Sequence, residues 1–179
     1  GMGATSTVVD PGDGSAANPY VITNASELQD MNTDLDASYT LGNDIDASSI
    51  ANFDPIGDAY PNWFNGTFDG ANYTISNLTI DRPTESNVGL FGSTSSNVRI
   101  ENVGVVNANM TGHDQVGGLA GLLFEGTVSN SYATGNVTGN TSDVGGLVGV
   151  NNDGMVADSS ATSSVHSSGF NTGGLVGYN

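Results

Sequence analysis

Between residues 74 and 161 the apolar residues recur two or three positions apart, and never with the three, four and seven spacing of a helical face. Val, Ile and Thr are frequent, and Gly, Asn, Asp and Ser interrupt the runs every few residues, a pattern that predicts short strands of about 4 to 6 residues. The runs also repeat. TISNLTI (74–80), RIENVGV (99–105), TVSNSYA (127–133) and MVADSSA (155–161) follow one another at nearly constant intervals, the last two being equal. They share one template: apolar, any, Asn or Asp, small or apolar, any, apolar or Ala. Read down, the columns are Ile75, Ile100, Val128, Val156; then Leu78, Val103, Ser131, Ser159; then Ile80, Val105, Ala133, Ala161. Such columns suit side chains stacked inside a coil. The polar column, Asn77, Asn102, Asn130 and Asp158, predicts a turn with left-handed backbone, which Asn and Asp tolerate best after glycine. Stacked asparagines can also hydrogen-bond from one coil to the next.

A second motif keeps the same period. VGGLAG (116–121), VGGLVG (144–149) and TGGLVG (172–177) are separated by the interval that also separates Ile100, Val128 and Val156. Short strands with this period predict an all-β parallel solenoid with coils of about 25 to 28 residues, each about 4.8 Å above the last. A β-propeller is the alternative, but its blades need about 40 to 50 residues. Upstream, PYVIT (19–23) predicts a strand leading into NASELQDMN (24–32), where Asn24 and Glu27 fit a capping box and Leu28, Met31 and Leu35 line one helical face. This is the one predicted helix, suited to covering the apolar end of a solenoid. YTLGNDIDAS (39–48) reads as a first, imperfect coil. The stretch from Ile50 to Gly70, with Phe53, Trp63, Phe64, Phe68, Pro55 and Pro61, reads as an aromatic excursion packed against the first coils. The expected organisation is a leader at 1–9, with Gly1 before Met2 read as an expression remnant, and a single domain over 10–179. That domain divides into a capping strand and helix (20–38), first coils (39–81) and repeats (82–179), and is expected to be a fragment of a longer protein.

Charge narrows the partners. In 179 residues, 15 Asp and 4 Glu face only Arg82 and Arg99, with no lysine, giving a net charge of −17. Nucleic acid is excluded as a partner because counterion release needs several cationic side chains. Anionic membranes and polyanionic sugars are repelled for the same reason. The lysine-free acidic surface points to an organism living in molar salt, which screens repulsion beyond roughly 3 Å. There is no cysteine, hence no disulfide, thiolate zinc site or cysteine nucleophile. No run approaches the roughly 20 apolar residues of a membrane span.

The glycines match neither GxGxxG nor GxxxxGK and open no predicted helix, so phosphate binding is disfavoured. Gly117, Gly118 and Gly121, Gly145, Gly146 and Gly149, and Gly173, Gly174 and Gly177 are expected instead where the backbone turns sharply or coils approach closely, with Leu119, Leu147 and Leu175 stacked inward. His113 and His166 lie nearly two coils apart and make a poor metal pair. Asp10 and Asp13 in DPGDG, and Asp44 and Asp46 in NDID, are the candidate calcium ligands, although neither stretch has EF-hand spacing. Otherwise no cofactor is expected. Seven Asn-x-Ser/Thr sequons occur, at Asn24, Asn65, Asn72, Asn77, Asn109, Asn136 and Asn140. No acidic pair falls in a catalytic signature, and two arginines are too few for a lyase acting on acidic sugars.

VGLFG (88–92), VGGLAG, VGGLVG and TGGLVGYN resemble the GLUG motif, and NSYATGNVTG (130–139) resembles the segment preceding it. NPYVITNASELQDM, LGNDIDAS, PIG and FNGTFDGANYTISNLTI resemble the leader before such repeats in bacterial and archaeal surface proteins. The first copy lacks one paired glycine and Thr172 replaces the initial valine of the last. The resemblance implies a right-handed parallel β-helix in adhesin-like proteins and in non-catalytic portions of some immunoglobulin A peptidases, and supplies no catalytic residue. The expected function is a non-enzymatic extracellular module at a cell surface, a stalk or interaction domain whose candidate partner is a glycan or a protein. A carbohydrate-binding or polysaccharide-degrading fragment and a calcium-stabilised module are the alternatives.

Overall fold

The computed structural model describes residues 11–179, so the expected leader and Asp10 lie outside the described residues. The chain winds into a parallel β-solenoid of about five turns, and every strand pairing among the described residues is parallel. A six-stranded sheet takes Tyr20–Ile22, Ser38–Leu41, Thr67–Asp69, Arg99–Glu101, Thr127–Ser129 and Met155–Ala157 in chain order. A second sheet holds Ile45–Asp46, Thr74–Ser76, Gly104–Gly112, Tyr132–Gly139 and Ser160–Ala161, with Thr79–Asp81 and Ser164–Ser167 alongside. The coil closes through Val116–Gly117, Val144–Gly145 and Thr172–Gly173, and then through Phe91–Thr94, Ala120–Phe124, Val148–Asn152 and Val176–Tyr178.

The register corrects the first member of each expected column. Ile75 pairs with Val105, not Ile100, and Val105 continues to Ala133 and Ala161. Ile80 stacks with Met110, Val137 and Val165. The residue that precedes Ile100, Val128 and Val156 is Phe68. TISNLTI is therefore the counterpart of 104–110 in the next coil, and Asn77 belongs beside Asn107 rather than Asn102. Thr67 pairs with Arg99 and Thr74 with Gly104, so the corner at 70–73 is two positions longer than its successor.

Left-handed backbone marks the corners. Asn72, Asn102, Asn130 and Asp158 have φ of 68°, 58°, 48° and 50° and form the corner between the first two sheets. Asn77 and Asn107, at 58° and 54°, form a second corner within the second sheet. Asn87, Gln115, Asp143 and Asn171, evenly spaced along the chain, form a third. Beyond Val103 the apolar column at the first corner becomes Ser131 and Ser159, whose hydroxyls are acceptors. Ser131 Oγ accepts from Val103 N–H at 3.3 Å and Ser159 Oγ from Ser131 N–H at 3.2 Å, each binding the coil before its own.

At the amino-terminal end, Asn24 Oδ1 caps Ala25–Gln29 by accepting from Glu27 N–H at 2.9 Å. Glu27 reaches back one residue further than in a standard capping box, accepting from Thr23 N–H at 2.9 Å and Thr23 Oγ1 at 2.6 Å. A 3₁₀ turn, Asp30–Thr33, follows, and Leu28 and Met31 are fully buried on the core. Gln29 fixes the helix laterally, exchanging hydrogen bonds with Asp54 O and Asp54 N at 2.9 and 2.8 Å. The aromatic stretch is part of the core. Phe53, Phe64 and Phe68 are completely buried, Ile56 bridges to Phe91 and Phe64 to Thr94. Phe91 stands between Phe64 and Phe68, with ring centroids at 4.9 and 5.4 Å. Only Tyr60 and Trp63 of this stretch stay outside, Trp63 stacked on Phe124 at 5.8 Å.

Phe91→Ala removes a ring shared by two coils. It should lower stability by about 3 to 5 kcal/mol, whereas Val176→Ala, on the half-buried last coil, should cost far less. Thermal melts followed by circular dichroism check the ranking.

Candidate functional site

The repeated glycines are built into coil contacts. A Cβ on Gly117 would lie 2.2 Å from Ala120 O, on Gly145 2.0 Å from Val148 O, and on Gly173 1.9 Å from Val176 O. The first glycine of each pair thus faces a carbonyl of its own coil, three positions ahead. The second faces the next coil: a Cβ on Gly118 would be 2.6 Å from Gly146 O, and on Gly146 2.2 Å from Gly174 O. The third packs backwards, Gly149 against Gly121 O at 2.6 Å and Gly177 against Gly149 O at 2.7 Å. None of these glycines has positive φ. Close approach, not a tight turn, is what requires them. Leu119 and Leu147 are fully buried on the inner side and Leu175 is half-buried.

The polar corners carry directed ladders. Asn130 Nδ2 donates to Asn102 Oδ1 at 2.7 Å, and Asn102 Nδ2 to Asp69 Oδ1 at 3.1 Å. At the second corner Asn107 Nδ2 donates to Asn77 Oδ1 at 2.8 Å, and Asn77 Nδ2 to Asp46 Oδ1 at 3.1 Å. At the third, Asn171 Nδ2 donates to Asp143 Oδ1 at 2.7 Å.

The three described calcium candidates, Asp13, Asp44 and Asp46, each accept hydrogen bonds within the fold. Asp46 Oδ1 accepts from Ser48 N–H at 3.0 Å as well as from Asn77, and these bonds, the Ser48 amide foremost, hold its carboxyl below the ordinary range. Asp13 Oδ1 accepts from Ser15 N–H at 2.9 Å, and hydrogen bonding to Ser15 likewise lowers its pKa. Asp44 Oδ1 accepts from Thr74 N–H at 2.9 Å. Among the described residues no group of three or more His, Asp or Glu is placed to hold a metal ion. His166 lies in register with Thr138 and Thr111, apart from His113.

One outward feature escaped the sequence reading. A groove of about 340 Å³ runs along the first corner, lined by Tyr73 and Tyr132 together with Asn72, Asn130 and Asp158. The tyrosines belong to coils that are not consecutive, and only the coil register brings them together.

Residues 112–138 and 140–165 match the GLUG motif. With the stacked coils, that defines the class: the chain is a parallel β-solenoid that carries two GLUG-motif repeats. Over 149 residues it is 40% identical to halomucin of Haloquadratum walsbyi, an alignment covering 77% of this chain and 2% of that protein. Over 115 residues it is 32% identical to a protein of Evansella cellulosilytica described as a Gly-rich membrane protein, covering 60% of this chain and 13% of that one. The crystal structure of a candidate immunoglobulin A1 protease from Bacteroides ovatus shares the fold, with a TM-score of 0.76 over 93% of this chain and 63% of that chain, at 19% identity.

Gly146→Ala forces a methyl against Gly174 O and should destabilise by about 1 to 3 kcal/mol. Gly174→Ala meets nothing within 4 Å and should stay within about 0.5 kcal/mol of the parent. Equal losses in urea titrations of the two variants would contradict the coil-contact role.

Proposed function

We propose that the chain is a non-enzymatic, extracellular module of a cell-surface protein, a stiff rod that presents or spaces an interaction surface in concentrated salt. The observation that carries this reading is how the conspicuous residues are used. The repeated glycines, the Asn and Asp corners and the described calcium candidates are used in coil stacking or backbone capping, and among the described residues they form no constellation for acid–base or nucleophilic chemistry. The likeness to halomucin and to a protein described as a membrane protein supports a surface setting. The helix Ala25–Gln29 is too short to cross a membrane.

Charge supports the salt adaptation. Both arginines lie beside a glutamate of their own coil, Arg82 at 3.4 Å from Glu85 and Arg99 at 3.7 Å from Glu101, leaving the other carboxylates uncompensated by cations. Stacking then brings like charges together. Glu125 and Asp153, both exposed, occupy one corner in successive coils, where Glu125 N–H donates to Asn152 O at 2.8 Å. Their repulsion is weakly screened in dilute buffer and strongly screened in molar salt.

Melting should therefore shift upward between about 0.1 M and about 3 M potassium chloride, and Glu125→Gln should narrow that shift by raising the low-salt value. A melting temperature independent of salt would refute the halophilic reading. Incubation with a panel of neutral and acidic polysaccharides should release no fragments, and cleavage of any of them would refute the non-enzymatic one.

A further inference from the structure

We infer that the tyrosine-lined groove is a binding strip for a neutral oligosaccharide. The inference deepens the interaction half of the surface-module reading and rests on it. Tyr73 and Tyr132 are 38% and 40% exposed, so each shows part of its ring to solvent at the groove. Among the described residues neither phenol hydroxyl has a hydrogen-bond partner.

Gly104 sets the shape. It is the intervening coil's member of the column that runs from Thr74 to Tyr132 and Ser160. A Cβ there would stand 2.3 Å from Tyr132 Cζ and 2.5 Å from its phenol oxygen. The missing side chain lets the Tyr132 ring lie back over the coil before it, toward Tyr73, so that both rings border the same groove. Any larger residue at 104 would push the ring away and fill the floor.

The corner column beside the rings adds polar groups on three coils, Asn72, Asn130 and Asp158, the last two one coil step of about 4.8 Å apart, while Asn102 between Asn72 and Asn130 is committed to its ladder. Asn130 uses its Nδ2 on Asn102 but keeps its Oδ1, while Asn72 and Asp158 have side chains engaged with no described residue. Aromatic rings together with amide and carboxylate oxygens in one groove match a pyranose, which presents apolar C–H surface on one side and hydroxyl donors at its edge. The chemistry also excludes acidic sugars. No cation lines the groove, and the chain carries a net charge of −17.

The test titrates the full chain in about 3 M potassium chloride with cellohexaose, mannohexaose and hexa-N-acetylchitohexaose, with hexagalacturonate as the anionic control, by calorimetry and by amide chemical shifts. At least one neutral hexasaccharide should bind saturably, perturbing the amides of Tyr73, Gly104 and Tyr132, and hexagalacturonate should not. Tyr73→Ala and Tyr132→Ala should each weaken binding about tenfold or more, roughly 1.4 kcal/mol, with melting temperatures near the parent because both rings are exposed. Gly104→Ala should weaken binding as well, and Phe170→Ala, an exposed aromatic elsewhere, should leave it unchanged. No saturable binding of any neutral probe at about 10 mM, binding of hexagalacturonate instead, or binding that survives both tyrosine substitutions overturns the inference. The salt-dependent melt is independent of these outcomes, so failure here leaves a rod that spaces rather than binds.

Discussion

Every coil of a parallel solenoid must turn at the same places as its neighbour, and the turn this chain uses is left-handed. For an ordinary L-residue that backbone costs roughly 1 to 2 kcal/mol. Asn and Asp lower the cost, and stacking gives them a second role, because a side chain held at the corner of one coil lies within reach of the next. The chemistry of the two residues then dictates their order. An amide both donates and accepts, so it can stand in the middle of a ladder, while an ionised carboxylate only accepts. In the described ladders each amide donates to the preceding coil and an aspartate stands at the base, as in Asp69, Asn102 and Asn130, or Asp46, Asn77 and Asn107. Asp158 has no proton to give Asn130, so the first ladder ends there. What looks like a merely polar column is a directional sequence code.

The glycine corner depends on the same regularity. With coil spacing fixed by the backbone ladders, Gly118 and Gly146, the second glycines of the first two pairs, have no room for even one carbon toward the coil above, and the third glycines Gly149 and Gly177 none toward the coil below. The leucine between them faces the core. A motif of two glycines, a leucine and a further glycine is thus the sequence image of three contacts, one within the coil and two across its faces.

The coil period was legible because the later coils keep it without insertions, and the glycine and apolar patterns report it independently. The capping helix was legible for a local reason, Asn24 and Glu27 around an apolar face. The alignment of residues 74 to 80 failed because two successive coils each contain two left-handed asparagine corners, Asn72 and Asn77, then Asn102 and Asn107, with nearly the same neighbours. Asn77 follows Ile75 and Ser76 much as Asn102 follows Ile100 and Glu101, so a short template cannot tell them apart. Two additional positions at 70–73 then hid the offset. The phenylalanines of 53 to 68 lacked any periodic cue, since a loop at 57–63 separates residues that stack in the same core. Ser131 looked like a weakened apolar position, yet it is buried as an acceptor for the Val103 amide. The groove was illegible in principle. Tyr73 and Tyr132 fall in different quoted segments that nothing in the sequence relates to each other, and their proximity is a product of register alone.

The core tapers along the stack while the charge does not. From early to late, one column runs Phe68, Ile100, Val128, Val156 and another Ile75, Val105, Ala133, Ala161. Each step to a smaller side chain removes apolar surface available for burial, at roughly 25 cal/mol per Å². Over the same coils Asp143, Asp153 and Asp158 all occupy left-handed corners. Asp143 still accepts from Asn171, but among the described residues no donor is directed at the carboxylate of Asp158. The opposing effects therefore come closest to balance in the late coils, where little burial offsets the corner charges. Ionic strength acts on the second of these without touching the first. On the proposed salt adaptation, the tolerance of the fold to dilution is set by its thinnest coils rather than by its aromatic base.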